Sequence, residues 1–201
     1  MTWVKICGLS KARDIRAAEE AGADAIGLVL VPESPRAVTA DQAAVLASVA
    51  NVDTFLLMRD ATPSEMLDLA SFIGVSGIQP YGDGVDETVD AALRAGLEVL
   101  YPIHVGSDRV TLTDLRDGVT PMLDTADPDR AGGTGQRFDA TLVDAAGRDW
   151  VLAGGLRPSN VAEAIASSKP WGVDVSSGVE SAPGVKDPTL ITRFIEEAKR
   201  A

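Results

Sequence analysis

Short runs of β-branched residues alternate with amphipathic helical patterns along the whole chain, and this alternation constrains the fold more than any other feature. Strands are expected near 3–7, 24–30, 52–58, 74–79, 98–103, 120–124, 150–153 and 171–176. Helices are expected near 11–21, 40–49, 63–71, 85–95, 137–146, 159–167 and 188–199. The connection 106–118 has a weaker pattern, with room for a short helix only. Parallel strands need a crossover between them, so strands separated by helices imply a parallel sheet. Eight such units in 201 residues fit a compact (β/α)8 barrel, one domain spanning 1–201. An open doubly wound sheet is the alternative.

Helix-start signals support this reading. Thr39 lies three residues before Gln42, the spacing of a capping box. Asp187-Pro188 sets a capping residue beside a first-turn proline, and Ser159 precedes the helical run that begins at Asn160.

The formal charge of −12 argues against nucleic acid, whose phosphates call for a basic surface. An anionic small molecule stays compatible if local donors overcome the overall repulsion. Apolar runs stop short of the roughly 18 residues a membrane span needs. One cysteine (Cys7) and one histidine (His104) cannot build a clustered metal site or an internal disulfide. A lone thiol with no basic-then-apolar leader points to the cytoplasm. The acidic surface, without an obvious apolar patch, favours a monomer, with a homodimer as the alternative.

Unusual residues gather at the carboxyl ends of the expected strands. Cys7 ends the first, Ser34-Pro35-Arg36 follows the second, and Gln79 ends the fourth. Asp124 ends the sixth, Gly154-Gly155 the seventh, and Ser176-Ser177-Gly178 the eighth. In a barrel these positions converge on the face that carries active sites. Asp124 alone could be a cap or turn residue, but across a mouth from Cys7 it completes an acid and base pair. Lys5, two residues before Cys7, points to the same side of its strand. It either lowers the thiol pKa or pairs with an interior carboxylate such as Asp174.

Bare backbone N–H groups at the glycine-rich turns can cradle phosphate without net positive charge, and the last two strand ends are the usual phosphate site of barrels. Gly132-Gly133-Thr134-Gly135 opens the sixth helix in the same manner. Arg36, in a proline-stiffened loop, suggests a bidentate clamp for a carboxylate rather than an ordinary surface cation. His104 lies near the mouth with no relay around it. Trp3, Trp150 and Trp171 each start a strand and read as packing at the opposite end.

These residues carry a resemblance to a known family. Lys5-Ile6-Cys7-Gly8-Leu9, Ser34-Pro35-Arg36, Leu123-Asp124, Gly132-Gly133-Thr134-Gly135, Leu152-Ala153-Gly154-Gly155-Leu156 and the run from Gly172 to Glu180 stand in order, followed by Pro183-Gly184-Val185-Lys186-Asp187. Together they resemble the phosphoribosylanthranilate isomerases of tryptophan biosynthesis, nearly end to end. The resemblance implies an Amadori rearrangement of a phosphoribosylated anthranilate, with Asp124 as general acid and Cys7, as thiolate, as general base. It implies that Arg36 holds the anthranilate carboxylate and that the segments Gly154-Gly155 and Ser176-Ser177-Gly178 hold the phosphate. Gln79 and Asp174 complete the expected substrate-binding set, with no metal and no organic cofactor. The chain departs from the family twice. Gln79-Pro80-Tyr81-Gly82 replaces the usual Gln-Leu-His-Gly, leaving Tyr81 as a steric substitute for the histidine, and Gln136 replaces a lysine, with Arg137 beside it. A barrel isomerase of another sugar phosphate and a non-catalytic phosphate-binding barrel are the alternatives. A thiol on the first strand favours the tryptophan-type enzyme, and the presence of both acid and base disfavours a binding protein.

Overall fold

The computed structural model describes residues 1–105, 110–124, 143–145 and 147–201. The strands are β1 (Trp3–Cys7), β2 (Ala25–Val29), β3 (Asp53–Arg59), β4 (Gly77–Tyr81), β5 (Glu98–His104), β6 (Val110–Thr111), β7 (Val119–Asp124), β8 (Val143–Asp144), β9 (Val151–Ala153), β10 (Gly172–Val175), β11 (Glu180–Ala182) and β12 (Val185–Lys186). The helices are α1 (Ala12–Ala21), α2 (Ala40–Val49), α3 (Pro63–Ile73), α4 (Val85–Arg94), α5 (Val161–Ser168) and α6 (Pro188–Arg200). Eight strands close into a parallel barrel in the order β1-β10-β9-β7-β5-β4-β3-β2, as the alternation requires. No helix among the described residues is long and apolar enough to cross a membrane.

Strand alternation divides the interior in two. Outward residues such as Ile6, Ile26, Leu28, Leu56, Ile78, Leu123 and Val173 join the buried faces of the helices in the main core. Lumen residues Ala25, Phe55, Leu100, Met122, Val151 and Ala153 form a second, smaller core. Trp3 closes its amino-terminal end, stacked on Trp171 at 5.1 Å and meeting the edge of Phe55 at 6.3 Å. Trp150 is buried, whereas Trp3 is partly buried and Trp171 is exposed.

The expected caps are present at two helices and different at a third. Thr39 and Gln42 exchange both capping-box hydrogen bonds, and Asp187 accepts from the Thr189 and Leu190 amides. At α5 the capping residue is Asn160, not Ser159. Its side chain bonds the Arg157 amide and the Gly155 carbonyl, so it braces the preceding loop rather than the helix.

Three segments differ from expectation. β4 begins at Gly77, later than residue 74, because Gly74 caps the longer α3 in a left-handed conformation. In 110–118 no helix forms: Val110–Thr111 pairs with Val143–Asp144 in a small sheet beside the barrel. Leu112 anchors the segment in the core, and the Arg148 guanidinium donates to the carbonyls of Leu115, Arg116 and Val119 at 2.6–2.9 Å. One side chain thus satisfies carbonyls that a helix would have paired internally. The expected helix over 137–146 is likewise replaced by strand at Val143–Asp144, and its remaining residues other than Ala145 lie outside the described residues, as do Gly132-Gly133-Thr134-Gly135, Gln136 and Arg137.

Candidate active site

Trp3, Lys5 and Cys7 share the lumen face of β1 and rise from the closed end to the mouth. Parallel register sets Lys5 opposite Asp174 on β10. Its fully buried ammonium donates to Asp174 Oδ1 at 2.8 Å and to Gln79 Oε1 at 2.9 Å. Both readings for Lys5 hold in part: it forms the ion pair with Asp174, and it also pulls the Cys7 thiol pKa down, though burial outweighs that pull. A buried lysine needs such partners, and no buried side-chain nitrogen or oxygen among the described residues lacks one.

Above this floor opens a cleft of about 300 Å³. It brings together every site residue expected from the sequence: Cys7, Arg36, Gln79, Asp124, Gly154, Gly155, Asp174, Ser176, Ser177 and Gly178. Val29, Val31 and Leu57 make an apolar wall beside Cys7, with Tyr81 packed against it. His104 stands in register with Asp124 across β5 and β7 but is exposed and does not line the cleft.

Two glycines make this geometry possible by close approach. A Cβ on Gly27 would lie 2.9 Å from Cys7 Sγ, so the thiol occupies space that any side chain on β2 would take. A Cβ on Gly178 would fall 1.8 Å from the Leu156 carbonyl oxygen, so only glycine lets the loop after β10 press against the loop after β9. The two glycine-bearing loops therefore form one rim.

Arg36 is held by a carboxylate of the protein itself. Its Nε and Nη2 donate to the two oxygens of Glu180 at 2.7 and 2.8 Å. Lys186, opposite Glu180 in the β11–β12 hairpin, donates to Glu180 Oε1 and to the Ser176 carbonyl at 2.8 and 2.9 Å. The arginine loop and the rim after β10 thus share one buried network, and Nη1 of Arg36 has no protein acceptor among the described residues. Sequence reading passed over Glu180 and Lys186 as site residues. Opposite charges flanking Pro183-Gly184 were the available signal, since a turn there sets positions 180 and 186 face to face.

Burial pushes the Cys7 thiol above its ordinary pKa; Lys5 pulls it down, Asp174 pushes it up and Lys186 pulls it down, with burial prevailing. Burial alone would lower Lys5, but Asp174 and Cys7 hold its ammonium above the usual value. Burial depresses Lys186 despite Glu180. Glu180, pushed up by burial, is brought below the ordinary range by hydrogen bonds from Arg36 and Lys186. Tyr81 is raised well above the usual phenol, first by burial and then by Cys7, Asp124 and Asp174.

Fold and cleft together define a (β/α)8-barrel enzyme with its site at the carboxyl mouth of the strands. The family model for N-(5'-phosphoribosyl)anthranilate isomerase matches residues 4–197. N-(5'-phosphoribosyl)anthranilate isomerases of Thiobacillus denitrificans and Pseudomonas putida are each 40% identical to this chain, over 98% of it and 97% of theirs. The phosphoribosyl anthranilate isomerase of Thermotoga maritima superposes with a TM-score of 0.86 at 31% identity, both chains fully covered. A complex of this enzyme type with reduced 1-(o-carboxyphenylamino)-1-deoxyribulose 5-phosphate gives 0.81 at 31% identity, again covering both chains fully. The chain belongs to the phosphoribosylanthranilate isomerase family.

Proposed function

We propose that this chain converts N-(5'-phosphoribosyl)anthranilate to 1-(2-carboxyphenylamino)-1-deoxyribulose 5-phosphate in tryptophan biosynthesis, with Asp124 as general acid and Cys7 as general base. The observation that carries this assignment is one cleft holding a carboxyl and a thiol at strand ends, between a tethered arginine and two glycine-bearing loops. The chain would work as a cytoplasmic monomer, residues 1–201 forming one catalytic unit, with no metal or organic cofactor needed.

The substrate is an anion at both ends. Its phosphate lies against Gly154-Gly155 and Ser176-Ser177-Gly178, where backbone N–H groups supply donors. Its carboxylate lies near Nη1 of Arg36, and the aromatic ring rests on Val29, Val31 and Leu57. Local donors at each end answer the repulsion expected from a net charge of −12.

Asp124 gives its proton to the furanose ring oxygen, the C1′–O bond breaks, and the nitrogen lone pair forms the C1′=N iminium. Cys7 then takes the proton from C2′, and that electron pair forms C1′=C2′ while the iminium nitrogen becomes neutral. The enolamine tautomerises as O2′ loses its proton and C1′ gains one, leaving the ketone at C2′. Iminium formation also brings positive charge beside the thiol, which favours the thiolate just when the base is needed. Each positioned proton transfer contributes on the order of 10²–10⁴ in rate.

A fluorescence assay with phosphoribosylanthranilate on wild type, Cys7→Ser and Asp124→Asn tests this. Loss of kcat by roughly 10²-fold or more in each variant supports the roles. Full activity in both variants refutes the mechanism, and an inactive wild type refutes the substrate.

A further inference from the structure

The hydrogen-bond polarity of the cleft floor is set by one residue. An ammonium only donates, so the Gln79 atom 2.9 Å from Lys5 Nζ must be the amide oxygen. The amide nitrogen therefore points the other way, and it donates to Tyr81 Oη and to Met122 Sδ. Because Gln79 donates to it, Tyr81 Oη is the acceptor in that bond, and its own proton has to go elsewhere. Tyr81 lines the cleft, in the same cluster as Cys7, Val29 and Leu57. No protein acceptor for its proton is present among the described residues.

We propose that Tyr81 is a substrate-touching hydrogen-bond donor whose O–H is held toward the cleft by the relay Lys5→Gln79→Tyr81 and donates to O2′, the oxygen on the carbon that Cys7 deprotonates. Resting on the isomerase reading above, this adds a catalytic residue, with Lys5 and Gln79 as positioning residues. A donor packed beside the base is near the oxygen of the carbon the base attacks, whereas the arginine that would take the carboxylate is tethered on the β2 loop. O2′ gains carbonyl character during the rearrangement, so a fixed donor there binds the transition state more strongly than the ground state. Burial raises the pKa of Tyr81 and so keeps its proton in place at working pH. Tyr81 is thus more than a filler for the missing histidine.

The test is a double-mutant cycle on Tyr81→Phe and Gln79→Glu, with kcat and KM for phosphoribosylanthranilate and a thermal melt of each variant. Tyr81→Phe removes only the donor and is expected to lower kcat at least about ten-fold, with KM changing less than about three-fold. Gln79→Glu puts an acceptor-only carboxylate in the relay, turning the tyrosine proton away from the substrate. It should lower kcat in wild type but cost at most about two-fold in the Tyr81→Phe background, because the donor it misdirects is already gone. Equal cost of Gln79→Glu in both backgrounds, or a Tyr81→Phe kcat within about two-fold of wild type, overturns the proposal. If Gln79→Glu does not fold, the kcat and KM of Tyr81→Phe decide the matter alone. Absence of wild-type turnover would remove the isomerase reading itself, while turnover that Tyr81→Phe leaves intact removes only the role of Tyr81.

Discussion

Arg36 grips Glu180 through two parallel hydrogen bonds of 2.7 and 2.8 Å, and Lys186 fixes Glu180 from the other side. A flexible cation at a loop thereby becomes a rigid one, its remaining nitrogen aimed by contacts made within the protein. The same lysine holds the Ser176 carbonyl, so both ends of the cleft share an anchor.

Glu180→Gln keeps the side-chain shape but weakens the charge-assisted fork. KM is expected to rise about ten-fold while kcat stays within about three-fold, since the arginine positions the bound substrate equally in ground and transition states. Steady-state kinetics with phosphoribosylanthranilate checks this, and an unchanged KM counts against Arg36 as the carboxylate clamp.

Cys7 is the only cysteine, so alkylation reports on it alone. Burial disfavours the thiolate, which places the folded pKa above that of a free thiol, about 8.5. The rate of iodoacetamide labelling is expected to climb with pH to a midpoint above that value. Because the acid must be protonated and the base ionised, kcat/KM should stay level between the two pKa values and fall on both sides of them, the alkaline fall setting in above the thiol midpoint. A labelling midpoint near 7 would contradict the balance of burial over Lys5.

Lys5→Met leaves Asp174 buried without its cation, at an expected cost of about 3–5 kcal/mol in a urea melt. Adding Asp174→Leu should recover most of that stability, because removing both charges restores a neutral interior. Activity should not return, since the relay through Gln79 and the substrate-facing carboxylate are both gone. Recovery of turnover in the double variant would show that the pair is structural only.

Gly27→Ala places a methyl carbon against Cys7 Sγ, where 2.9 Å is available. The thiol must shift, with an expected overpacking cost of about 1–3 kcal/mol. A displaced base should lower kcat by about ten-fold or more. Wild-type kcat in this variant would mean that the thiol position is not critical.

Much of this protein was legible in the chain because the signals are local. β-Branched runs between amphipathic patterns placed the barrel strands within a few residues, and Thr39 and Asp187 marked their helix starts through side chains a few residues from the amides they cap. The residues that gather in the cleft were found because barrel topology sends every strand end to one face. The segments over 110–118 and 143–144 were misread, because their backbone partners are each other and Arg148, which no periodicity records.

The sequence by itself determined that a thiol and a carboxyl stand at strand ends with glycine-bearing loops beyond them. Only the closed barrel decided what those groups experience. Lys5 meets Asp174 across 169 positions of chain and Gln79 across 74, and Arg36 meets Glu180 across 144. Whether Lys5 activates Cys7 or neutralises Asp174, and which way the Tyr81 proton points, depend on burial and on the direction of hydrogen bonds between distant strands. Those are properties of closure, and a one-dimensional pattern does not carry them.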